Sequence, residues 1–127
     1  MKAKKNQFTI VPLELCDDND NVVEVIQVRS DYISMRNRLL ESLGRLQKLS
    51  EANASDDELG NAVLDLMGGI YGEDGTKRAV AFFENNYTAL ITVVTSHIYE
   101  DILPALNRLL EEKHKQAKAY GQYKGKR

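Results

Sequence analysis

From Ile33 to Leu110 the apolar residues recur mostly every three or four positions. That spacing lays an apolar stripe along one side of a helix. It does not suit a strand, whose successive side chains alternate between two faces. Only the first quarter of the chain breaks the pattern. Phe8 to Leu15 and Val22 to Val28 are rich in β-branched residues and flank the turn-forming cluster Asp17-Asp18-Asn19-Asp20-Asn21. They predict a β-hairpin over about residues 7–28, with Pro12 confining the first strand to an edge or a bulge. A lone hairpin is marginal in water and needs a surface to pack on. The expected fold is therefore mainly α, an N-terminal hairpin on a bundle of about four helices.

The helix limits follow from local signals. A first helix is expected over about Asp31 to Glu51, capped by Ser30 or Asp31, with Leu39, Leu43, Leu46 and Leu49 on its apolar side. Ser55-Asp56-Asp57-Glu58 has the form of a capping box, with acids where the helix dipole favours them. It opens a helix to about Ile70. A short helix follows from Thr76 to Glu84, then a break at Asn85-Asn86. The last helix starts near Thr88 and is long, with a bend expected near Asp101 because Pro104 removes a backbone donor. Residues 1–120 form one expected domain, and 121–127 read as a disordered basic tail.

Gly68 to Lys77, GGIYGEDGTK, invites a phosphate-loop reading. Such a loop follows a strand and ends in Gly-Lys-Ser/Thr. Here a helix precedes it, the order is Gly75-Thr76-Lys77, and Glu73 and Asp74 would repel an anion. The stretch is expected to connect two helices, with Gly72 as a left-handed cap. Asp17, Asn19 and Asn21 match the first ligands of a calcium loop, but Val22 and Val28 stand where it needs Gly and Glu. His97 and His114 lack metal-ligand spacing, and Cys16 is one thiol, read as half-buried in a strand and reduced. No serine sits in a nucleophile elbow. The expectation is a protein without catalytic, cofactor or metal site.

Charge is segregated along the chain. Nine of the 17 basic residues lie before Asn6 or after Glu112, while residues 6–112 hold eight basic residues and all 19 acids, a net −11. An acidic body with basic ends attracts copies of itself or an acidic partner. Met1 to Gln7 is basic but has no apolar segment of secretory-leader length, and no apolar run of membrane-spanning length is apparent.

The hairpin followed by helices, the segment Asn61 to Gly75 (NAVLDLMGGIYGEDG) and the charged helix Ile102 to Glu112 (ILPALNRLLEE) together resemble the small tail assembly chaperones of long-tailed bacteriophages, of the kind found in Gram-positive phages and prophages. The resemblance implies a non-catalytic protein. It implies binding of the long helical tape measure protein, with the tail tube subunit as a further candidate partner, and self-association into a homo-oligomer. It also implies action in the bacterial host cytoplasm, away from membranes, and absence from the mature virion.

The apolar stripes suggest where such a partner would bind: Leu39, Leu43 and Leu46 on one helix, or Leu106, Leu109 and Leu110 on another. The basic tail, with Lys113, Lys115, Lys118, Lys124, Lys126 and Arg127 beside Tyr120 and Tyr123, carries the alternative of a small nucleic-acid-binding regulator. A third reading is a different phage structural or scaffold protein.

Overall fold

The computed structural model describes residues 10–29 and 32–125. It is mainly helical with an N-terminal antiparallel hairpin, as the periodicity predicts. Strand β1 (Leu13–Cys16) pairs with β2 (Val22–Ile26), with Leu13 opposite Ile26 and Leu15 opposite Glu24. Both strands are shorter than expected. Pro12, without an N–H, stands directly before β1, and the register slips by one residue between Leu15 and Cys16. The turn is organised by Asp17, whose Oδ1 accepts the backbone N–H groups of Asn19 (2.9 Å) and Asn21 (3.0 Å). These bonds, Asn21's first, hold the Asp17 carboxyl below its ordinary range.

Four helices follow: α1 (Tyr32–Glu51), α2 (Asp56–Phe82), α3 (Tyr87–His97) and α4 (Leu103–Gly125). The expected caps at Ser30 and Asp31 lie outside the described residues. Ser55 caps α2 by accepting the N–H of Glu58, and Asn86 caps α3 by accepting that of Ala89. Glu84 and Asn85 just before it have positive φ, which ends α2.

Two expectations are corrected. The helices expected to end at Ile70 and begin at Thr76 are both present within α2, but they meet across a kink, and the connecting loop shrinks to a single residue. Gly72 (φ 78°, ψ 177°) leaves helical geometry, and the helix resumes at once. Thr76 Oγ1 donates to the Gly72 carbonyl at 2.7 Å, and the two acids read as part of the connecting stretch form helical ion pairs, Glu73 with Lys77 and Asp74 with Arg78. The second correction concerns the last helix. Between α3 and α4 the chain widens into a π turn over Ile98–Ile102, closed by the Leu103 N–H on the Ile98 carbonyl. Pro104 cannot donate to a carbonyl one turn back, and the widened turn lies immediately ahead of it. α4 then continues to Gly125, past the point where a disordered tail was expected to begin.

One core serves the hairpin and all the helices. Leu15 and Ile26 of the hairpin join Leu39, Val63, Met67, Ile70, Leu90, Ile98 and Leu106. The continuous run Tyr87–Glu112 is, by length and composition, apolar enough to cross a membrane, contrary to the expectation above. In this fold Leu90, Val94, Ile98, Ile102 and Leu106 on it are buried against the other elements.

The glycines seat the hairpin on α2. A Cβ at Gly75 would stand 2.9 Å from Ile26 Cγ2 and from Tyr71 Cβ, so only glycine lets β2 approach so closely. The Arg29 N–H, just beyond β2, donates to the Ile70 carbonyl at 2.8 Å, in the last turn before the Gly72 kink. A carbonyl there is short of a helical partner, and the hairpin strand supplies one.

Candidate partner-binding surfaces

Among the described residues no cluster of His, Cys, Asp and Glu could hold a metal ion. The one buried polar side chain among them is His97. Its Nε2 lies 2.7 Å from the Val11 carbonyl and its Nδ1 2.7 Å from the Tyr71 hydroxyl. A carbonyl only accepts, so Nε2 carries the proton and Nδ1 accepts from Tyr71. Both ring nitrogens are thus satisfied, and burial pushes the Tyr71 phenol above its ordinary value. This is a structural bridge from α2 through α3 to the chain entering β1. Cys16, expected half-buried, is an exposed free thiol.

The leucine faces proposed from sequence are mostly core. Leu39, Leu46, Leu106 and Leu109 are all less than a tenth exposed, while Leu43 and Leu110 are half-buried. The reason is supply. α1 packs on α2, and α4 packs on α1 and on the widened turn before it, so the chain's own helices cover both stripes. Of the basic tail, Lys115 is exposed on α4. Lys113, Lys118 and Lys124 belong to the same helix, and Lys126 and Arg127 lie outside the described residues.

Among the described residues three surfaces stand out. On α1, Leu40 is 42% exposed beside Gly44, around which nothing would lie within 4 Å of an added Cβ. Glu41, Arg45, Lys48 and the half-buried Leu49 border the same open depression, of about 680 Å³. On the hairpin, Val23 and Val25 are exposed on the face opposite the buried Ile26, and Val22 is exposed at the turn end of β2. Sequence reasoning missed both, because period-two alternation does not say which face is inner and Leu40 sits beside a stronger stripe. The third surface is a groove of about 430 Å³ between β1 and α3, with Glu14, Glu100 and Asp101 on its rim.

Comparison with protein-family models, with curated proteins and with solved structures gives no match for the chain.

Proposed function

We propose that this chain is a non-catalytic holding protein for an apolar helical partner, acting as a tail assembly chaperone of a long-tailed phage. Its partner would be the tape measure protein, held in the host cytoplasm before tube subunits polymerise around it. The observation that carries the reading is the Leu40–Gly44 depression on α1. An exposed leucine beside a glycine with open space lets a second helix come close, and mixed charges on the rim orient it. Leu40 and the bordering residues replace the leucine faces inferred from sequence as the contact.

The test is a pull-down with the full chain as bait from cells expressing the phage structural genes, at moderate salt. Recovery of a long helical protein by wild type, and its loss with Leu40→Asp at unchanged helicity, supports the proposal. Equal recovery by Leu40→Asp excludes this surface. Recovery of nucleic acid alone, lost as salt rises, favours the regulator reading, because counterion release makes that affinity steeply salt-dependent.

A further inference from the structure

The two edges of the hairpin differ. Arg78 of α2 closes the β2 edge: its Nη1 donates to the Val25 carbonyl at 3.2 Å and lies 3.4 Å from Glu24. That bond also fixes the hydrogen-bonding phase of the ladder. In an antiparallel pair, opposed residues either exchange both backbone bonds or turn both groups outward. The Val25 carbonyl is turned to Arg78, so its cross-strand neighbour Glu14 directs its own N–H and C=O away from β2. Among the described residues no strand pairs with that edge.

Beside the Glu14 edge runs the groove between β1 and α3. One wall is the strand from Val11 to Glu14, and the other is Thr92, Val93 and Ser96 of α3, all small. Its charged lining is acidic: Glu14, Glu100 and Asp101, with no lysine or arginine. The His97 bridge to Val11 pins the strand to the helix at one end and holds the walls apart at a fixed spacing.

We propose that this groove binds an extended, lysine- or arginine-bearing segment of a partner protein as a third strand on β1. The Glu14 backbone groups supply the ladder bonds, the α3 wall receives alternate small apolar side chains, and the three carboxylates select for positive charge. The site is separate from the α1 depression and does not depend on a helical partner, so either can fail alone.

The experiment titrates the full chain into two pentapeptides labelled with fluorescein at the N-terminus, fluorescein-Lys-Val-Lys-Val-Lys-amide and fluorescein-Glu-Val-Glu-Val-Glu-amide, and follows anisotropy. The basic peptide is expected to bind at least tenfold tighter. Glu14→Gln keeps the edge and removes one charge, and should weaken it severalfold. Glu14→Pro removes the outward N–H at an edge position where proline is tolerated, and should abolish strand addition. Helicity is checked for both variants. Ser96→Trp, which fills the groove from the helix side, provides a second block independent of the hairpin. Binding of the basic peptide unchanged in Glu14→Pro and Ser96→Trp, or no preference between the peptides, overturns the proposal.

Discussion

The Tyr71 hydroxyl donates to His97 Nδ1 at 2.7 Å, and the same imidazole holds the Val11 carbonyl through Nε2. Three segments far apart in sequence meet at one ring that is 5% exposed. Buried polar groups are costly unless each is satisfied, and here each is. Tyr71→Phe leaves Nδ1 without its donor at almost unchanged shape. The expected loss is about 1–3 kcal/mol in urea unfolding.

The same tyrosine sets an alkaline limit. Burial raises its pKa above the ordinary 10.0, so the folded state keeps a proton that the unfolded chain releases. The contribution is complete below pH 10 and falls away as pH rises beyond it. Stability measured from pH 8 to 11.5 should drop more steeply for wild type than for Tyr71→Phe. Parallel curves would contradict this.

Asp17 works in the opposite direction. Its pKa is lowered from 3.8 by the Asn21 and Asn19 backbone groups, so its contribution is present above that value and lost as pH falls below it. Asp17→Ala should weaken the hairpin turn at pH 7, and the difference from wild type should shrink below pH 4. Hydrogen exchange at Asn19 and Asn21 reads this locally.

The glycines of the central stretch should separate into two groups. Gly72→Ala meets a backbone geometry that side chains rarely adopt, and should cost about 1–3 kcal/mol. Gly75→Ala drives a methyl into Ile26 and Tyr71 and should cost about 1–3 kcal/mol as overpacking. Gly68→Ala and Gly69→Ala meet open space inside a helix and should stabilise by about 0.5–1 kcal/mol each. Thermal melting of the four variants tests the division.

The free thiol gives a simple check on the outer hairpin face. Cys16 should react fully with a maleimide reagent in the native state, without denaturant. Protection until unfolding would place the thiol inside.

The helices were legible because Ser55 has the form of a cap, Asn85-Asn86 that of a break, and the apolar residues after each keep helical spacing. The Gly72 kink was half-legible. Glycine named the place, but Glu73–Lys77 and Asp74–Arg78 pairs, which let the helix restart without a loop, depend on a helix already being there. The surfaces were least legible. A stripe such as Leu39 and Leu46 looks the same whether its cover is a partner or the chain's own α2, and only the assembled bundle decides. The acidic groove joins Glu14 to Glu100 across the fold, a meeting that linear spacing does not encode.

The seat of the hairpin also imposes an order of events. The hairpin is synthesised before α2, but the Ile70 carbonyl that receives Arg29 comes about forty positions later, and the gap at Gly75 that receives Ile26 about fifty. A two-stranded hairpin has little stability of its own. Contacts so distant in sequence form slowly compared with helical turns. The hairpin emerges ahead of the element that seats it and therefore settles late, and until α2 is complete its valines and its open strand edge stand exposed to whatever else is near.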